Sequence, residues 1–128
     1  MKFDLKKSER IHHRDEIQML FTKGKTFVDF PFRVIYLSVP KETEAVKIAV
    51  SIPKKKIKKA VDRNLLKRRT KEAYRLNKHS LKSAIAKQEF TLLIMFIFQS
   101  KEILPFMEIQ DKINRILLRL EKLYGKTD

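Results

Sequence analysis

Residues 90–98, FTLLIMFIF, are apolar at every position but Thr91. Side chains alternate between the two faces of a strand, so a run apolar at both parities needs cover on both sides. This segment predicts an interior strand of a sheet. It is far too short for a membrane helix, which needs ~20 residues.

The other elements are arranged around that strand. Ile17, Leu20 and Phe21 recur at helical spacing and predict a helix over residues 13–23, with Gly24 standing just beyond as a stop. Residues 26–28 and 32–39 are rich in β-branched and aromatic side chains, and Pro31 marks an edge or a strand start. A polar turn at residues 40–44 leads to a third strand, AVKIAVSI at 45–52. The short link predicts antiparallel pairing of the second and third strands. Pro53 ends the third strand, and a long helix follows over residues 57–77. Residues 79–89 read as a polar link with a helical turn around 81–86. The last helix, 105–124, carries the apolar stripe Phe106, Ile109, Ile113, Ile116, Leu117 and Leu120. The order is α-β-β-β-α-β-α, an α+β fold read as one domain over residues 1–128. The long helix joins the third and fourth strands and so permits a parallel βαβ unit, right-handed by default.

The long helix is also where the charge is. Residues 54–78 hold twelve of the chain's 30 lysines and arginines, opposed only by Asp62 and Glu72. The formal net charge of the chain is +15. So basic a fold repels itself, and a bound polyanion relieves that repulsion. At ~100° per residue, Arg63, Lys67, Lys71 and Lys78 line one face, with Asn64, Arg68 and Arg75 beside them. Val61, Leu65, Leu66, Ala73 and Leu76 take the opposite arc. Rungs one helical turn apart are ~6 Å from each other, a spacing suited to phosphates along a nucleic-acid strand. A solvated helix face would need interspersed acids for i,i+4 pairs, and few are present. A second candidate surface is aromatic, because Phe3, Phe21, Phe27, Phe30, Phe32 and Tyr36 crowd the first third of the chain. Most belong to a core; Phe21 and one or two strand rings are the candidates to meet unpaired bases.

Several chemistries find no residues here. There is no cysteine, so disulfides and thiolate metal sites are excluded. With only Gly24 and Gly125, a glycine-rich phosphate loop cannot form. His12, His13 and His79 lack ligand spacing and are read as exposed and neutral. No metal ligand set and no catalytic residues are expected. The segment MKFDLKKSERIHH has no apolar stretch of the signal-peptide kind. The expected place is the cytoplasm, away from membranes.

The segment IAVSIPKKKIKKAVDRNLLKRRTKEAYR resembles the signature of the bacterial ribonuclease P protein subunit. The matching positions are Ser51, Ile52, Lys54, Lys55, Ala60, Val61, Arg63, Asn64, Lys67, Arg68 and Glu72. Arg10-Ile11 and the stretch from Glu16-Ile17 to Phe21 and Gly24 are similar to the family's first helix. Leu65 stands where the signature has a second arginine, Lys71 where an arginine is common, Ile17 where an aromatic is frequent, and Pro53 where a small polar residue is usual.

The resemblance implies a ribonucleoprotein. In that family an RNA subunit is the catalyst and removes the 5′ leader of precursor tRNA, so this chain would belong to an endoribonuclease without carrying its catalytic groups. Magnesium would be held mainly by RNA, with a lower requirement when the protein is present. The partners implied are the catalytic RNA and precursor tRNA, with no obligate protein partner. Lys54, Lys55, Arg63, Asn64, Lys67, Arg68, Lys71 and Arg75 would lie on the catalytic-RNA side. Ile17, Phe21, Ile35 and Tyr36 would face the leader. The implied fold is a mixed four-stranded sheet with helices packed on it and an unusual left-handed βαβ crossover, replacing the default hand. Composition alone also permits a ribosomal-type RNA-binding protein or RNA chaperone. A stand-alone nuclease lacks an acidic cluster, and a membrane binder would need the apolar arc that the sheet requires.

Overall fold

The apolar run becomes β4 (Phe90–Phe98), and it lies inside a four-stranded sheet. A computed structural model describes residues 5–124; Phe3 and Gly125 fall outside them. The remaining strands are β1 (Lys25–Asp29), β2 (Phe32–Pro40) and β3 (Val46–Ser51), in the spatial order β1-β2-β4-β3. The β1–β2 and β2–β4 pairs are antiparallel, whereas β3 runs parallel to β4. The helices are α1 (Arg14–Lys23), α2 (Ala60–Asn77), α3 (His79–Ala86) and α4 (Phe106–Tyr124), with a 3₁₀ turn at Lys7–Glu9. The α-β-β-β-α-β-α order stands, and the helical turn expected after α2 is a full helix, α3, that buries Leu81 and Ile85.

The expected β2–β3 pairing is overturned: β4 takes the place beside β2. The cause is burial. β4 is buried at every position after Phe90, so it gains most from neighbours on both edges and cover on both faces. The five residues between β2 and β3 reach up to ~17 Å, enough to step across one intervening strand.

Two cores flank the sheet. The larger joins Phe32, Val34, Tyr36, Ile94, Phe96 and Phe98 to buried residues of α2, α3 and α4. The smaller joins Ile35, Val39, Leu93, Met95 and Ile97 to Leu20 of α1 and to Ile11. The outer edge of β3 is covered by the N-terminal segment, where the Ile11 N–H donates to the Ile48 carbonyl at 2.8 Å. This cover removes an exposed pairing edge. Glu9, fully buried, fastens the segment by accepting a hydrogen bond from Lys78 Nζ at 2.7 Å.

The helix α2 is rotated from its expected phase. Its buried stripe is Leu66, Thr70, Ala73 and Tyr74, while Val61 is 70% exposed and Leu76 is 46% exposed. Thr70 is tolerated inside because its hydroxyl donates to the Leu66 carbonyl at 2.8 Å.

Gly24 ends α1 for a reason other than handedness. Its φ is −69°, open to any residue. A Cβ there would lie 2.4 Å from the Leu20 carbonyl oxygen and 2.7 Å from Ile35 Cγ2. The chain thus needs glycine for close approach of α1 to β2. Gly24→Ala is expected to cost about 1–3 kcal/mol by forcing the end of α1 off Ile35. Chemical denaturation would register it as a lowered midpoint with little change in slope.

Candidate nucleic-acid interface

Because α2 buries Leu66, Thr70, Ala73 and Tyr74, its outward stripe is Asn64, Arg68, Lys71 and Arg75, with Lys67 on the flank. Asn64 and Arg68 are exposed; Lys67, Lys71 and Arg75 are half-buried. Arg75 grips Glu72 through both Nε (2.9 Å) and Nη2 (2.7 Å). That hydrogen bond holds the Glu72 carboxyl below its ordinary range and outweighs the upward push of burial.

Two members of the expected ladder are turned away from it. Lys78 points inward to Glu9. Arg63 folds back, and its Nη1 donates to the carbonyls of Ile57 (2.9 Å) and Lys58 (2.7 Å). The loop it braces carries Lys54 and Lys55, both exposed, and is closed by the Pro53 carbonyl accepting from the Lys56 and Ile57 amides. Ile57 is buried and pins the loop from below. Arg63 therefore positions two other cations.

The N-terminal segment and α2 enclose a groove of about 330 Å³ lined by Arg10, Asn64, Lys67, Arg68, Lys71 and Glu72, with Leu5 at one side. A second groove of about 330 Å³ runs between α1, β3 and α2, past Ile17, Ala49 and Val50. Arg10, Lys67 and Lys71 line both. Four of the seven residues lining the first groove are cations; the other has an apolar floor and a cationic wall.

The α1 wall of the second groove is held by ions. Lys47 Nζ, on β3, donates to Glu16 Oε2 of α1 at 2.9 Å and lies 2.7 Å from Glu42 Oε1. Burial lowers the Lys47 pKa, but hydrogen bonds to Glu42 and Glu16 outweigh it and leave the ammonium above its ordinary range. Its charge is thus retained under the helix.

The four residues expected at a leader surface are divided. Ile17 lines the second groove, and Phe21, one turn later, is 56% exposed. Ile35 lies on the same side of the sheet but is covered, 3% exposed, beneath Gly24. Tyr36 must be corrected: adjacent strand residues face opposite sides, and Tyr36 is in the larger core, 5.7 Å from the Phe27 ring and 5.9 Å from the Tyr124 ring. Ala49 and Val50 are groove residues that the sequence does not single out, and Arg10 enters there only as part of the first-helix resemblance, without a site role. The alternation of β3 could have pointed to Ala49; the placing of Arg10 against α2 is a tertiary contact that no local pattern gives.

Among the described residues, no group of three or more His, Asp or Glu side chains could hold a metal ion. Among them also, no helix is long and apolar enough to cross a membrane.

A family model for ribonuclease P matches residues 5–121. A ribonuclease P protein component of Porphyromonas gingivalis is 39% identical over 119 residues, covering 92% of this chain and 87% of that protein. One from Bacillus cereus is 40% identical over 73 residues, 57% of this chain and 60% of that protein. In fold, the chain is similar to the Staphylococcus aureus RNase P protein, with a TM-score of 0.71, 23% identity, and coverage of 92% of this chain and 99% of that one. The Thermotoga maritima RNase P protein gives a TM-score of 0.68 at 23% identity, covering 87% of this chain and 96% of that one.

Proposed function

The chain belongs to the ribonuclease P protein family, and from that membership we propose that it binds two RNA strands side by side. The catalytic RNA lies along α2 and the Lys54–Lys55 loop, and the single-stranded 5′ leader of precursor tRNA lies in the groove beside α1. The observation that carries this reading is the sharing of Arg10, Lys67 and Lys71 by two contiguous grooves. Two polyanions brought close repel each other, and a row of cations common to both lowers that cost. The groove beside α1 adds an apolar floor and the open Phe21 ring, which suit unpaired bases more than a duplex.

In this reading the protein supplies no catalytic group. Magnesium serves the RNA, and the protein lowers the concentration needed by screening phosphates. The complex works in the cytoplasm on precursor tRNA. The test is reconstitution with the catalytic RNA at low magnesium. The protein is expected to raise cleavage of leader-bearing precursor tRNA well above that of RNA alone. Cleavage indifferent to the protein would end the proposal. Cleavage by RNA-free protein would replace it with a nuclease.

A further inference from the structure

Arg33 is a charged residue on an otherwise apolar stretch of β2, and among the described residues it makes no hydrogen bond or ion pair. Its neighbours Phe32 and Val34 belong to the larger core, and Ile35 to the smaller one, so Arg33 faces the α1 side of the sheet. Lys47, the other strand cation on that side, is neutralised by Glu16 and Glu42. Register places Arg33 between Val28 of β1 and Ile97 of β4, with Ser51 of β3 beyond Ile97. Val28 is 60% exposed. This row follows directly on that of Ala49, Met95 and Ile35. Ala49 lines the leader groove, and Ile35 meets the end of α1. On that face the sheet therefore runs from Ala49 at the groove past Ile97, 9% exposed, to Arg33, a guanidinium with no partner among the described residues.

We infer that Arg33 is a phosphate anchor at the far end of this groove, a role that rests on the leader reading above. A planar fork with no partner among the described residues matches a pair of phosphate oxygens, and such a contact carries no base information. Two strand intervals separate Arg33 from Ser51, a distance of ~10 Å. The end of the groove lined by Lys67 and Lys71 adjoins the catalytic RNA, so it is the end nearest the scissile bond. Arg33 then meets a leader phosphate upstream of the first few, one that short leaders lack.

The experiment uses the reconstituted holoenzyme with wild-type protein, Arg33→Ala and Arg33→Lys. Affinities are measured for precursor tRNAs with a minimal leader and with an extended leader, the latter in purine-rich and pyrimidine-rich forms. The preference of the wild type for the extended leader is expected to fall about tenfold in Arg33→Ala, equally for both base compositions. The salt slope for the extended leader should flatten by ~0.7 in Arg33→Ala and stay unchanged in Arg33→Lys. An undiminished preference in Arg33→Ala, or a loss confined to one base composition, overturns the assignment while leaving the groove intact. A wild-type enzyme blind to leader length overturns the leader reading itself, and Arg33 with it.

Discussion

Replacing Lys67, Arg68 and Lys71 together with alanine is expected to weaken assembly with the catalytic RNA about a thousandfold. A charge-assisted hydrogen bond is worth about 1.5 kcal/mol, or about tenfold for each cation that meets a phosphate. Since the three sites are neighbours, their effects will not add strictly. The salt dependence is the sharper readout. Each phosphate left without its cation should flatten the slope of log K against log salt by ~0.9 on a duplex, so the triple variant should drop by roughly two to three units. The fold should survive, because the outward stripe of α2 lies apart from the buried Leu66, Thr70, Ala73 and Tyr74. Net charge alone could produce part of the effect. The control is therefore Lys87→Ala, Lys101→Ala and Lys122→Ala, three exposed lysines outside both grooves. If the two triple variants flatten the slope equally, the RNA responds to the +15 of the whole chain and α2 is not the interface.

What can be read from the residues is whatever is local in its physics. The apolar run of β4 gives its burial on both faces directly, and the i,i+3,i+4 spacing of Ile109, Ile113, Ile116, Leu117 and Leu120 gives the buried face of α4. Sequence reasoning fails where a distant partner decides. The parallel partner of β3 is β4, more than 40 residues away in sequence, and the short link before β3 points to the wrong neighbour. The phase of α2 is misleading because hydropathy favours Val61 and Leu76, whereas Thr70 satisfies itself on the Leu66 carbonyl and can lie inside. The cations divide into three roles that composition cannot separate: Arg68 faces solvent, Arg63 braces a loop, and Lys78 neutralises a buried carboxylate. The side of the sheet that Arg33 faces follows only once the cores on the two faces of β2 are known, because β2 is apolar at both parities.

Glu9 offers the second large effect, and it links the fold to the interface. Its Oε1 accepts from Lys78 at 2.7 Å and from Lys82 at 3.4 Å, while the residue is fully buried. Glu9→Met strands the Lys78 ammonium, and Lys78→Met strands the carboxylate. Each single change is expected to cost about 3–5 kcal/mol, a fall in Tm of roughly 10–20 °C. The double variant should recover most of that stability. The pair is imperfectly satisfied, since Glu9 Oε2 and the nearby Tyr74 hydroxyl are buried without hydrogen-bond partners among the described residues, and an apolar pair of similar volume avoids the desolvation of the charges. A double variant as unstable as the sum of the singles would show that the charges themselves hold the segment down. Acid provides an independent check. Burial pushes the Glu9 carboxyl up, but Lys78 and Lys82 outweigh it and hold it below its ordinary value of 4.5. A depressed folded pKa stabilises at neutral pH, and that contribution disappears as the pH falls below 4.5 toward the lower folded value. The double variant should lack this component of acid unfolding. Because the segment fastened by Glu9 also delivers Arg10 to both grooves, Glu9→Met should weaken RNA binding at temperatures where the rest of the fold is still intact. Unaltered affinity in a variant whose N-terminal segment exchanges its amide protons freely would separate the segment from the interface.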